Sequence, residues 1–251
     1  MVQIVCIPAF KDNYIWLLRK GAMAAVIDPG AADPVLEVLD REGLSLAAIL
    51  ITHHHADHQG GVAGLLDRHQ AEVIGPAAER ITGITRRLHG GETITACEIS
   101  FAVLAVPGHT LGHLAYYGAG CLFCGDTLFA GGCGRVFEGT PAQMAESLAR
   151  LAGLPDDTAV YCAHEYTEAN LRFALAVEPN NAVLRERAAE VAAARARGCA
   201  TVPSTIGIEK ASNPFLRCAE PEVIAAARSR GATAEDPVSV FSVLREWKNT
   251  F

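Results

Sequence analysis

At 251 residues, with half of them apolar and a fifth charged, the chain is long enough to bury a large core, and its composition is that of a soluble globular protein. The net charge of -7 lacks the basic excess of a general nucleic-acid binder, and no apolar run reaches the roughly 18 residues of a membrane span. The opening MVQIVCIPAF has neither the basic start nor the long apolar stretch of a secretory signal, so the expected compartment is the cytoplasm. Eight irregularly spaced cysteines then read as reduced, mostly buried thiols. Cys121 and Cys124, though a CxxC, lie inside the apolar run CLFCGDTLF, where strand packing is the simpler reading.

In chain order, VQIVCIP, NYIWLL, AMAAVID, AAILIT, EISFAVLAVP, HLAYYG, CLFCGD and AVYCAHE are apolar or β-branched segments, most of which end on Gly, Pro, Asp or His, and they are predicted strands. Helical patterns interrupt them: PVLEVLDREG after an Asp28-Pro29-Gly30 turn, GVAGLLDRHQ, and PAQMAESLARLAG after Gly139-Thr140. From about Tyr166 the texture changes to helix-period segments rich in Ala, Leu, Arg and Glu: TEANLRFALAVEP, NAVLRERAAEVAAARARG, PEVIAAARSRG and PVSVFSVLREWKN. The expected organisation is an α/β catalytic domain over 1–165 and a smaller helical domain over 166–251.

The segment THHHADHQGG places four imidazoles and one carboxylate within His53–His58. Such a cluster neither fills a core nor lowers chain entropy, so metal binding is the reading it supports. In an extended segment alternate residues share a face, which lets His53 and His55 address one ion while His54 points elsewhere. Asp57 and His58, at the turn into the next helix, aim at a different point, so two ions suit the loop better than one. Further donors stand directly after apolar strands: His109 in VPGHT, Asp126 in LFCGDT and His164 in VYCAHE. Seven donors then sort into two sets, and Asp126, with two oxygens, can bridge. His54, His69 and His89 are left as solvated or structural, and His113 as a partner behind a ligand.

HxHxDH at His53–His58, PGHT at His109, GD at Asp126 and AHEYT at His164 resemble the metallo-β-lactamase superfamily. DNYIWLL, GGCGRVFEGT, HEYTEANLRFA, VEPNN and SNPFLR narrow the resemblance to the glyoxalase II (hydroxyacylglutathione hydrolase) family, in the same order from Asp12 to Arg217. That resemblance implies an αββα sandwich followed by an all-helical C-terminal domain. It implies two divalent ions, zinc first, with iron or manganese as alternatives: one held by His53, His55 and His109, the other by Asp57, His58 and His164, with Asp126 bridging.

The chemistry implied is hydrolysis of an S-(2-hydroxyacyl)glutathione such as S-D-lactoylglutathione, in methylglyoxal detoxification. A coordinated water, its pKa lowered from about 15.7 toward ~7, would supply hydroxide, and the thiolate leaving group needs no strong acid. No GxSxG nucleophile motif competes with this reading. The resemblance assigns glutathione contacts to Arg135, Tyr166 and Arg217, the last as partner of a carboxylate, and leaves Phe137, where some members carry tyrosine, only its backbone amide. The expected partner is the small thioester alone, with no nucleic acid or membrane, and the expected assembly is a monomer. The alternatives are another hydrolase of the superfamily, or a persulfide dioxygenase with one iron; GGCGRVFEG with SNPFLR argues against the first, the complete second donor set against the second.

Overall fold

The computed structural model describes residues 2–251 and divides into two compact units, Met1–Ala105 with Gly112–Gly125, and Val106–Leu111 with Asp126–Phe251.

The first unit begins with β1 (Gln3–Ala9), β2 (Asn13–Lys20) and β3 (Met23–Ile27), which pair antiparallel. After α1 (Asp33–Glu42) come β4 (Ser45–Leu50), the short helices α2 (Ala56–Gln59) and α3 (Val62–Leu66), then β5 (Glu72–Pro76) and β6 (Arg86–Leu88). The strands β3 to β6 run parallel, with helices in the β3–β4 and β4–β5 crossovers and a non-helical loop between β5 and β6, and complete a six-stranded sheet in the order β1-β2-β3-β4-β5-β6. The first six residues of β2, NYIWLL, are buried, so both faces of this central strand are covered and its pattern is continuous rather than alternating. Pro34 stands in the first turn of α1, and Gly43 ends it at φ +61, a left-handed conformation that suits glycine. Val35, Val38 and Leu39 on α1 pack with Ile15, Leu17, Val26 and Ile49 of the sheet into one core.

Four further strands, β7 (Thr93–Ala96), β8 (Ile99–Ala105), β9 (Leu114–Gly118) and β10 (Cys121–Gly125), form an antiparallel run. Within this unit the two sheets meet through Tyr116, whose buried hydroxyl donates to Ile51 O at 2.7 Å, and through Leu114 N, which donates to Thr52 O at 2.9 Å. Burial pushes the Tyr116 phenol well above its ordinary value.

The second unit holds the two-residue strands β11 (Leu128–Phe129) and β12 (Gly132–Cys133), which form a tight hairpin, then α4 (Pro141–Ala152) and β13 (Ala159–Cys162). Thr140 and Gln143 build a reciprocal capping box at the start of α4. The helices α5 (Thr167–Val177), α6 (Ala182–Ala196), α7 (Ile206–Ser212), α8 (Pro221–Ser229) and α9 (Pro237–Thr250) follow, with a 3₁₀ turn at Pro214–Leu216. Phe173 stacks on Phe215 and meets Trp247 edge-on, giving the helices an aromatic core. The strands β5, β6, β7, β11 and β12 are not among the predicted ones, and two elements of the region 166–251 also differ from the sequence reading. β14 (Ser204–Thr205) is a strand within the stretch expected to be purely helical, pairing antiparallel with β13, and α7 is a helix no periodicity announced. Both are too short to carry a recognisable period.

Candidate metal centre and cavity

In the first unit, β3 and β4 are neighbouring parallel strands, and the chain leaves their carboxyl ends at Asp28 and Ile51. Asp28 sits at φ +51 and is buried; its carboxylate accepts Thr52 N and Thr52 Oγ1, both at 2.7 Å, and lies 3.0 Å from His58 Nδ1. These bonds fix the start of the histidine loop. His53 Nε2 and His55 Nδ1 are 3.0 Å apart, the His53 and His58 ring centroids 4.1 Å, and His58 Nε2 lies 3.6 Å from Asp57 Oδ2. Asn13 Nδ2 donates to the same Asp57 oxygen at 3.1 Å. His54 turns to a different neighbour, with Nδ1 3.1 Å from Glu79 Oε2. Gly30 permits the close approach: a Cβ there would fall 1.9 Å from Asp57 O.

In the second unit the other three donors gather around Asp126. Its Oδ2 is 3.4 Å from His109 Nε2 and its Oδ1 3.3 Å from His164 Nε2, and all three side chains are buried. His109 Nδ1 lies 2.8 Å from Arg135 O, an arrangement that holds a proton on Nδ1 and turns Nε2 toward Asp126. Buried imidazoles crowding a carboxylate form a nitrogen and oxygen donor set that suits zinc, iron or manganese, and residues of this kind in both units are the described side chains able to hold an ion. No cysteine belongs to these sets; all eight are thiols outside any disulfide, and burial pushes the Cys162 thiol up to about 12.

A cavity of about 410 Å³ is lined entirely by residues of the second unit, and His109 and Asp126 are among them. Its walls bring together three of the four expected substrate contacts, Arg135, Phe137 and Tyr166. The Tyr166 ring stacks on His164, 4.7 Å between centroids. The Phe137 backbone amide donates to His109 O at 3.3 Å. Arg217 is not part of this wall. Its guanidinium binds Glu178 through Nε and Nη2, at 2.9 and 3.0 Å, and donates from Nη1 to Lys210 O. Burial opposes the Arg217 charge, and the Glu178 contacts more than offset it, so its pKa moves upward.

The sequence reading missed two basic residues of this wall, Arg245 and Lys248, and Asn170 beside them. Arg245 is buried and donates from Nη1 to Cys133 O at 2.8 Å, while its Nε has no hydrogen-bond partner among the described residues. Lys248 is lowered from 10.5 to about 8, by burial first and then by the charges of Arg245, Arg172 and Arg135. The available signal was the spacing of Arg245 and Lys248, three apart and so on one face of α9.

The chain matches the family model "Hydroxyacylglutathione hydrolase C-terminus" over residues 165–251 and the model "Metallo-beta-lactamase superfamily" over residues 10–96 and 98–164. It is 58% identical to a hydroxyacylglutathione hydrolase of Dechloromonas aromatica and 53% identical to one of Vibrio cholerae, with all of each chain covered. Among solved structures, ETHE1 from Myxococcus xanthus shares the fold at a TM-score of 0.68 and 24% identity, covering 100% of this chain and 99% of its own. TTHA1623, solved in a di-iron-bound form, aligns at a TM-score of 0.55 and 30% identity over 64% of this chain and 91% of its own.

Proposed function

Since the chain belongs to the hydroxyacylglutathione hydrolase (glyoxalase II) family of the metallo-β-lactamase superfamily, we propose that it hydrolyses S-(2-hydroxyacyl)glutathione thioesters, S-D-lactoylglutathione first, to a 2-hydroxy acid and glutathione. In this reading 1–165 carries the metal chemistry and 166–251 completes substrate binding. His53, His55 and His109 take one divalent ion and Asp57, His58 and His164 the other, with Asp126 as the shared ligand. The di-iron form of TTHA1623 supports a pair of ions on this fold; for this chain we favour zinc, with iron or manganese as the alternatives.

When bound, two such ions would lower a water's pKa enough to make hydroxide available at neutral pH and would polarise the thioester carbonyl. The protein's part is to hold the donors and the substrate. Asp28 fixes the His58 ring, the Arg135 carbonyl fixes His109, and His53, His58, His109, Asp126 and His164 are buried, while His55 and Asp57 stay partly exposed. The glutathione sulfur leaves as a thiolate, near the ~8.5 pKa of an ordinary thiol, so the chain needs no acid to release it.

The observation that carries the substrate reading is a single wall that contains the donors His109 and Asp126 together with Arg135, Arg245 and Lys248. In a chain of net charge -7, a local trio of cations beside metal donors marks a site for an anion whose other end reacts. Arg245, with one buried N–H still to satisfy, is the residue we assign to a glutathione carboxylate, Lys248 and Arg135 to the same anion, and Tyr166 to the peptide through its hydroxyl. Phe137 contributes its ring. Arg217, occupied by Glu178, acts by holding the helices together.

No described helix is long and apolar enough to cross a membrane, and eight cysteines outside any disulfide suit a reducing compartment. We place the protein in the cytoplasm as a monomer. The test is metal content per chain measured alongside turnover of S-D-lactoylglutathione and of a simple thioester without the peptide. The reading expects about two ions per chain and a strong preference for the glutathione thioester; equal turnover of both substrates, or one ion with oxygen consumption, overturns it.

A further inference from the structure

The hairpin Phe129–Gly134 forms part of the cavity wall through Phe129, Cys133 and Gly134, and it leads directly into Arg135. Two strands of two residues each cannot hold such a hairpin in place by themselves. Its backbone is instead held by helical side chains. Asn213 Nδ2 donates to Gly132 O at 2.9 Å and lies 3.3 Å from Phe129 O, and Glu209 Oε2 accepts Gly131 N at 2.8 Å. Asn170 Nδ2 adds a bond to Ala130 O at 3.2 Å.

Glu209 is fully buried, and the cost of burying it is met by a second layer. Its Oε1 accepts from Arg187 Nη2 and from Ser204 Oγ, while Arg187 Nη1 donates to Ser212 Oγ at 2.7 Å. A buried ion pair is a poor way to gain stability, because apolar packing of the same volume does as well. It is a good way to present a carboxylate oxygen and an amide at fixed positions, where the hairpin offers one N–H and two carbonyls. Gly131, at φ +70, would place a Cβ 2.7 Å from Leu171, so the backbone comes as near to the helices as it can.

We propose that Asn213 and Glu209, set by Arg187, are positioning residues for substrate binding: they grip the hairpin so that Cys133, Gly134 and Arg135 stand at the correct distance from the glutathione part of the substrate. The inference rests on the proposed hydrolase reading for its substrate, and on the contacts above for the grip. Asn213 also caps the 3₁₀ turn, with Oδ1 accepting Phe215 N at 3.1 Å. Serine caps about as well as asparagine, but its shorter side chain does not reach the hairpin. Asn213→Ser therefore removes the grip and keeps the cap.

Asn181 is a matched control. It caps α6 by accepting Leu184 N, and its amide donates to Ala211 O, which is not in the hairpin. Asn181→Ser loses a bond of the same kind. Both variants are compared with the full-length wild type by metal content, by KM and kcat for S-D-lactoylglutathione, and by amide hydrogen exchange over residues 128–135. The expected result is that Asn213→Ser raises KM about tenfold, the equivalent of ~1.4 kcal/mol, with kcat and metal content near wild type and faster exchange in the hairpin. Asn181→Ser should leave KM and that exchange unchanged. Equal KM changes in the two variants, or unaltered exchange in Asn213→Ser, overturn the grip. Failure of wild type to cleave the glutathione thioester overturns the substrate reading and leaves exchange to decide the grip. Should Asn213→Ser not fold, Asn170→Ser is judged by exchange over the same residues, with acceleration supporting the grip and no change opposing it.

Discussion

Asp28 Oδ2 stands 3.0 Å from His58 Nδ1, so a buried carboxylate at the end of one parallel strand orients a histidine of the loop that follows the next. The bond holds a proton on Nδ1 and leaves Nε2 as the ring nitrogen available to the proposed metal. Asp28→Ala should lower metal affinity about ten- to a hundredfold, with activity restored by added zinc. Metal titration of the apoprotein checks this, and unchanged affinity would show that the loop holds His58 without Asp28.

Asp126 touches both His109 and His164 through different oxygens. If Asp126 is the shared ligand proposed above, Asp126→Ala loses most activity and lowers occupancy at both positions. Two ions retained with full turnover would remove Asp126 from the centre.

His54 is the histidine of the cluster that turns to Glu79, a buried carboxylate that also accepts Gly112 N at 3.0 Å. His54→Ala should keep metal content and kcat near wild type while lowering stability by about 1 kcal/mol. Loss of a whole ion in elemental analysis would place His54 among the ligands.

Lys248 titrates at about 8 instead of 10.5 because of burial and of Arg245, Arg172 and Arg135. Its charge is present below that pH and lost above it, so KM for a glutathione thioester should rise as pH passes through about 8. Lys248→Met should show the higher KM at all pH values and no inflection there. For folding the sign is opposite: the unfolded chain keeps this proton up to about 10.4, so stability gains between the two values as pH rises. A KM profile with the same inflection in Lys248→Met would assign it to another group.

Arg217 binds Glu178, a side chain almost wholly buried. Arg217→Ala should cost about 3 kcal/mol by leaving that carboxylate unpaired, measured by denaturant unfolding, with KM close to wild type in whatever fraction folds. A raised KM at unchanged stability would return Arg217 to the substrate.

Residue type and order carried most of the identification. THHHADH cannot serve as core or as a simple turn, and short apolar runs such as NYIWLL and AAILIT, rich in β-branched or aromatic residues and bounded by turn residues, read as buried strands. The motifs at His109, Asp126 and His164 follow apolar strands, which is visible without coordinates. What tertiary structure decided is which polar side chain meets which partner. Arg217 and Arg245 are both arginines of the helical region, alike in sequence. One is occupied by Glu178 from the turn after α5, and the other is buried in a cavity wall with an N–H still unpaired. Asp28 reads as a turn residue until the parallel pairing of β3 and β4 brings it beside Thr52 and His58. Asn213 reads as a cap, which it is, and its second role depends on contact with a hairpin 81 residues away. Local periodicity records what a residue does along its own element; a long-range hydrogen bond is set by packing and leaves no period to read.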